Sequence, residues 1–248
     1  MKLIISAASR VGCIRTNNED MLLVNDSYVR NGKMSTEVNM EEHDRYLLAL
    51  ADGMGGHQSG EVASSDVLHN LQFFFSDIPS NLRPGDFNES IYEWLESINN
   101  IIDSKGQMDP AYRGMGTTLV ALAYYDGEFY SMNCGDSRFY RLHLGKLRQL
   151  TTDHSLSNLM GSSEHSNVIT NCIGGGCKNS YIDMMQCTHD IQPKDTFLLC
   201  SDGLNDMISD IEIEGMLNDG YDADALCHAA ELAGGVDNVS AIVFKVVE

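Results

Sequence analysis

Apolar residues in this chain come mostly in short runs broken by glycine, aspartate and asparagine. Residues 2–8, 20–25, 45–51, 117–125, 128–134, 137–143, 182–188, 195–201 and 239–247 read as strands, rich in β-branched and aromatic side chains. Asp126 and Gly127 lie between two such runs and signal a hairpin, and Leu144, Gly145 and Lys146 suggest another. Consecutive hairpins imply antiparallel sheets rather than βαβ crossovers. A different period governs 60–75, where Ala63, Val67, Leu68, Leu71, Phe74 and Phe75 recur at helical spacing behind Ser59 as a cap. Phe87, Ile91, Leu95, Ile98 and Ile102 do the same in 87–103, and shorter helices fit 209–218 and 222–233. Each helix carries one apolar stripe and so covers one sheet face. The simplest layered solution is an α+β fold, a four-layer α-β-β-α sandwich of two antiparallel sheets flanked by helices. Residues 31–44 are polar and read as a loop between strands. Residues 154–180, with the run Gly174, Gly175 and Gly176, read as a long irregular loop of the kind that usually serves function.

Composition narrows this picture. The chain has 248 residues, 43% of them apolar, with no Pro/Ser-rich linker and no fixed-period repeat, so we expect one domain over 1–248. A net charge of -20, from 16 basic and 36 acidic residues, argues against nucleic acid or an anionic membrane surface as a partner. No apolar run reaches the length of a membrane span, and the opening MKLIISAASRVG reads as a strand rather than a signal peptide. The 7 cysteines (13, 134, 172, 177, 187, 200 and 227) are odd in number and lack a CxxC pair, which disfavours zinc and fits reduced thiols in a cytoplasmic protein.

The chemistry lies in aspartates placed just beyond strand runs. Asp52 precedes Gly53, Asp136 follows Gly135, Asp202 precedes Gly203, and Asp237 precedes Asn238, while Glu19 and Asp20 close the segment RTNNED. A single Asp-Gly is ordinarily a turn. Several at strand ends can build one oxygen-lined pocket, and such pockets hold hard cations such as Mg²⁺ or Mn²⁺. Two ions roughly 3.5–4 Å apart would neutralise the mutual repulsion and lower the pKa of a bound water. Arg15, four residues before Glu19, offers a guanidinium fork for phosphate oxygens.

Seven ordered motifs carry a resemblance: RTNNED, ALADGMGG, GMGTTLVAL, NCGDSR, LTTDHSL, LLCSDGLND and GGVDNVSAIV. From about residue 6 to 246 the chain resembles the metal-dependent Ser/Thr protein phosphatases of the 2C type, in their bacterial form. The resemblance implies hydrolysis of phosphoserine and phosphothreonine in proteins by a metal-bridging water, without a phosphoenzyme, opposing a bacterial Ser/Thr kinase. It implies two Mn²⁺ or Mg²⁺ ions and a weaker third. Asp52 would bridge the two metals and the Gly53 carbonyl would bind one; Asp202 and Asp237 would complete the second. Glu19 would ligate directly or through water, Asp20 would orient metal-bound water, and Arg15 would bind the substrate phosphate. Asp136 matches the third site, shared with Asp202 and Asp206.

The chain departs from the family in three places. Met54 stands where many eukaryotic members have a histidine proposed as general acid; His57 follows closely and reads as a loop residue. The segment after LTTDHSL looks short for a flap. TNCIGG lacks an arginine that relatives often carry. Asp153 and His154 read as a turn contact, and Thr117 and Thr118 as strand residues bonded to backbone. A catalytically silent phosphoprotein-binding regulator of the same fold is the alternative, disfavoured because Asp52, Asp202 and Asp237 are all present. A binuclear hydrolase of small phosphoesters would ordinarily draw on histidine ligands, which these motifs lack.

Overall fold

The computed structural model describes residues 1–55, 59–161 and 168–247; His57 lies outside them. In chain order the strands and helices are β1 (Lys2–Arg10), β2 (Met21–Val24), β3 (Ser27–Val29), β4 (Gly32–Asn39), β5 (Arg45–Ala51), β6 (Gly53–Met54), α1 (Ser59–Asp77), α2 (Pro84–Met108), β7 (Gly116–Thr117), β8 (Leu119–Tyr125), β9 (Glu128–Cys134), β10 (Arg138–His143) and β11 (Lys146–Gln149). There follow α3 (Leu156–Met160), β12 (Ile173–Gly174), β13 (Asp183–Gln186), β14 (Thr196–Cys200), α4 (Asp202–Asn205), α5 (Asp210–Asn218), α6 (Ala223–Leu232) and β15 (Val239–Val247).

Two six-stranded antiparallel sheets dominate, ordered β11-β10-β14-β15-β1-β4 and β13-β9-β8-β5-β2-β3. They pack face to face with helices outside, giving the four layers expected of an α+β sandwich. The strand alternation shows how each layer forms. In β5, Tyr46, Leu48 and Leu50 enter the core between the sheets. Leu47, Ala49 and Ala51 face the opposite way, against Val67, Leu71, Phe87 and Leu95 of α1 and α2. In β15, Ile242, Phe244 and Val246 point between the sheets, while Ala241 and Val243 lie on the opposite face, against α6. A strand covered on both faces reads as a continuous apolar run, which is why β5 and β15 were plain in the sequence. Phe139, Phe197 and Phe244 stack in the middle layer, the last two with ring centroids 4.8 Å apart.

Both hairpin signals hold. Asp126 and Gly127 (φ 47° and 91°) join β8 to β9, and Leu144 and Gly145 (φ 49° and 79°) join β10 to β11. Positive φ at both central residues gives the turn whose twist matches the flanking strands. Helix α5 starts on a capping box, with Ser209 accepting from the Glu212 N–H and Glu212 accepting from the Ser209 N–H.

One expectation fails. Residues 31–44, read as a loop, contain β4, which pairs with β1 from Gly32 through Asn39. As the outer strand of its sheet it presents Lys33 and Glu37 to solvent and buries only Val38 fully. Charged side chains on an edge strand guard against pairing with another chain and erase the apolar alternation that marks inner strands. The irregular reading of 154–180 holds for most of its described part, interrupted by α3 and β12. Among the described residues no helix is long and apolar enough to cross a membrane.

Candidate metal centre

Strand register gathers the acidic residues. Met21 at the start of β2 pairs with Ala51 at the end of β5, so Asp20 and Asp52 leave the same sheet edge. Leu119 pairs with Cys134, which brings Asp136 to that edge. In the other sheet Cys200 pairs with Ala241, placing Asp202 and Asp237 together. The two edges meet where Asp20 Oδ2 accepts a 2.9 Å hydrogen bond from Ser201 Oγ across the sandwich. A cavity of about 450 Å³ opens beside this seam, with Asp202, Asp206 and Asp237 in its wall.

Glycines let the backbone close around it. A Cβ on Gly53 would collide with the Gly60 carbonyl in the first turn of α1 and with the Glu19 carbonyl. One on Gly203 would strike the Asn238 carbonyl, so this glycine serves close packing of α4 against the start of β15. Gly135 has φ +123°, and a Cβ there would lie 2.6 Å from Thr118 Cγ2.

Burial and crowding govern the electrostatics. Asp20 is fully buried; loss of water pushes its carboxyl well up, the Ser240 and Ser201 hydroxyls pull it back, and Asp202 and Asp237 push further. Asp52 is raised by burial first and then by Asp20, Asp202, Asp136 and Asp237. Burial, followed by Asp202, lifts Asp136 to about 7. Burial also raises Asp202, with Asp206 and Asp237 adding to it. Glu19 is raised by burial, opposed by Arg15.

Asp20 Oδ1 and Asp136 Oδ1 are buried with no hydrogen-bond partner. An orphaned buried carboxylate oxygen costs about 1–3 kcal/mol or more. A hard divalent cation would satisfy both the orphaned oxygens and the repulsion, so the donor set fits Mn²⁺ or Mg²⁺. Among the described residues, however, no three His, Cys, Asp or Glu side chains already enclose one point. One reason is visible. Arg15 Nη2 lies 2.6 Å from Asp237 Oδ2, so the carboxylate expected on the second metal is held by the residue expected on the phosphate.

The sequence reading missed the frame that holds these groups. Asn238, nearly buried, accepts from the Glu19 N–H at 2.8 Å and donates to the Val11 and Asn17 carbonyls at 3.0 and 2.8 Å. It thus pins RTNNED to the head of β15. Asn238→Ala leaves three backbone groups without that partner and should destabilise the protein by about 2–3 kcal/mol; a thermal midpoint within measurement error of the native one would contradict this role. Buried hydroxyls support Asp20 from behind: Ser9 Oγ bonds Ser240 Oγ and Asn18 Nδ2, each at 2.8 Å. Thr117 Oγ1 donates to the Asp52 carbonyl at 2.8 Å, and Thr118 Oγ1 accepts from the Asp52 N–H at 3.1 Å. Both threonines therefore hold backbone, as expected of them.

His154 does more than close a turn. Its Nδ1 accepts from the Gly135 N–H at 3.1 Å and from Asn171 Nδ2 at 2.8 Å, leaving Nε2 to donate to Asp183 Oδ2 at 3.1 Å. Its backbone N–H also donates to the Gly135 carbonyl at 2.9 Å. The ring thereby fixes the residue before Asp136, while Asp153 pairs with Arg138 at 2.7 Å.

The sequence profile described as "Protein phosphatase 2C" matches residues 35–226. The chain belongs to the protein phosphatase 2C family. It is 32% identical over 253 residues to the serine/threonine protein phosphatase PstP of Mycobacterium tuberculosis, covering 98% of this chain but only 45% of the relative. It thus spans less than half of that relative's length. It is 34% identical over 251 residues to protein phosphatase PhpP of Streptococcus pneumoniae, covering 95% of this chain and 94% of the relative. Among solved structures, the catalytic domain of PstP in complex with two manganese ions superposes with a TM-score of 0.76 at 30% identity over the full length of both chains. A Streptococcus agalactiae serine/threonine phosphatase gives 0.81 at 27% identity, covering 98% of this chain and 99% of the other.

Proposed function

We propose that the described chain is one 2C-type phosphatase domain, 1–248, hydrolysing phosphoserine and phosphothreonine in proteins with two Mn²⁺ or Mg²⁺ ions and a weaker third. The observation that carries this reading is the buried carboxylate seam, with Asp20, Asp52, Asp136 and Asp202 all raised by burial and by neighbouring carboxylates. Asp52, the Gly53 carbonyl, Asp202, Asp237 and Glu19 would hold the two principal ions, and Asp136 with Asp202 the third. Divalent cations held there would supply positive charge to the phosphoryl oxygens and a water acidic enough to act near neutral pH.

The protein's own groups divide the remaining work. Arg15, with 53% of its side chain exposed, binds phosphate oxygens after exchanging its Asp237 partner for substrate. Asp20, fixed by Ser201, orients the attacking water towards phosphorus. Met54 has no proton to give, and a cation-bound water would supply the leaving-group proton. All seven cysteines are free thiols, and direct attack by water needs none of them. Free thiols and the acidic surface fit a cytoplasmic setting, and phosphoproteins, including a Ser/Thr kinase and its substrates, are the partners this chemistry serves.

The assay is phosphate release from a phosphothreonine peptide with Mn²⁺ or with a chelator. Arg15→Ala should raise KM by about tenfold or more, the loss of a charge-assisted bidentate contact. An unchanged KM would remove Arg15 from phosphate binding. Binding of phosphopeptide without turnover would favour the silent regulator.

A further inference from the structure

Two aliphatic side chains stand in solvent beside the phosphate position, and nothing in the proposed hydrolysis uses them. Ile14 is 68% exposed and Val236 is 54% exposed. Each immediately precedes a member of the Arg15–Asp237 ion pair. Their segments are clasped a second time by the Cys13 N–H, which donates to the Gly235 carbonyl at 2.7 Å. The two residues are therefore carried on adjoining backbones, each next to a member of that ion pair. Met207 extends the surface inward: Val236 and Met207 both line the cavity that holds Asp202 and Asp237. Both also flank Gly234, whose missing Cβ would lie 3.6 Å from Met207 Sδ and 3.9 Å from Val236 Cγ2.

We infer that Ile14, Val236 and Met207 form an apolar lip that selects phosphopeptides with a large aliphatic residue next to the phosphorylated one. The inference rests on the phosphatase reading and deepens it. Continuity with the phosphate site decides the occupant. A substrate whose phosphate reaches Arg15 must lay its neighbouring side chains across the backbones that carry Ile14 and Val236. An aliphatic neighbour would bury apolar surface there, whereas a polar one would give up water without a partner.

Two phosphothreonine peptides, alike except for Leu or Gln on both sides of the phosphothreonine, test this. The native protein should show a kcat/KM ratio of about tenfold or more in favour of Leu, the effect of burying one aliphatic side chain, carried by KM. Ile14→Ser, Val236→Ser and the double variant should bring the ratio progressively towards unity, while Val236→Leu retains it. A ratio cancels any loss of fold or cation common to both peptides. Equal turnover of both peptides by the native protein, or a preference that survives the double variant, overturns the inference and leaves the phosphatase reading standing. No Mn²⁺-dependent release from either peptide overturns the phosphatase reading, and the inference with it.

Discussion

Asp52→Asn and Asp202→Ala should each lower Mn²⁺-dependent turnover of a phosphothreonine peptide by at least about a thousandfold, roughly 4 kcal/mol of transition-state stabilisation. The two carboxyls are near neighbours, and they join the sheet that delivers Asp20 and Asp136 to the one that delivers Asp237. Removing either takes away an anionic oxygen from the point where the two sheet edges meet. Asp136→Asn should behave differently. Asp136 neighbours Asp202 and follows Gly135, whose backbone His154 holds. Its loss should slow turnover by about tenfold to a hundredfold without abolishing it. The fold should survive these changes, since each relieves a buried like-charge contact. Circular dichroism matching the native protein is therefore the control. Turnover that persists in Asp202→Ala would move the cation site elsewhere.

The second large effect is on stability, and its sign is unusual for carboxylates. A carboxyl raised in the folded state keeps a proton that the unfolded chain has already released. Between the unfolded carboxylate range near 4 and the folded value of about 7 for Asp136, the folded state binds more protons, so stability falls as pH rises. Below that window both states are protonated, and above it both are ionised. Asp20, Asp52 and Asp202 are displaced the same way. Asp136 alone accounts for a loss of about 3 kcal/mol between about pH 5 and about pH 7.5, a fall of about 10 °C in thermal midpoint for a chain of this length, and the other three add to it. Carboxylates lowered by their partners, such as Asp224 beside Lys33 and Arg10, lose their contribution only at more acid pH and do not mask the effect. Mn²⁺ should restore the midpoint, and restore it more at the higher pH, because it competes with protons for the same oxygens. A metal-free midpoint that climbs across this window, or an Mn²⁺ shift independent of pH, would contradict the reading of the seam.

The sequence was most legible where a residue's role is local. Both hairpin turns need positive φ at two central residues, and Asp126, Gly127 and Gly145 announced it. Strands buried on both faces, such as β5, stood out as unbroken apolar runs. Strand β4 did not, because an edge strand with Lys33 and Glu37 outward carries little apolar pattern. The strand-end aspartates could be named from their flanking glycines, but the glycines themselves do different things. Gly53 admits the first turn of α1, Gly135 takes a positive φ over Thr118, and Gly203 admits the Asn238 carbonyl. Those distinctions come from long-range packing. The same holds for the Ser9, Ser201 and Ser240 hydroxyls, drawn from three separate strands' ends and edges, and for Asn238, whose three contacts lie more than 200 positions away. His154 looked like a turn residue because Gly135, Asn171 and Asp183 approach it only in the folded chain.

Calorimetric titration of Mn²⁺ into the metal-free protein tests whether the carboxylate seam is a divalent-cation centre. Two principal sites should appear and tighten as pH rises through the range where Asp136 ionises, with binding abolished or reduced to one weak site in Asp52→Asn. The absence of saturable Mn²⁺ binding, or binding that Asp52→Asn leaves intact, would contradict it.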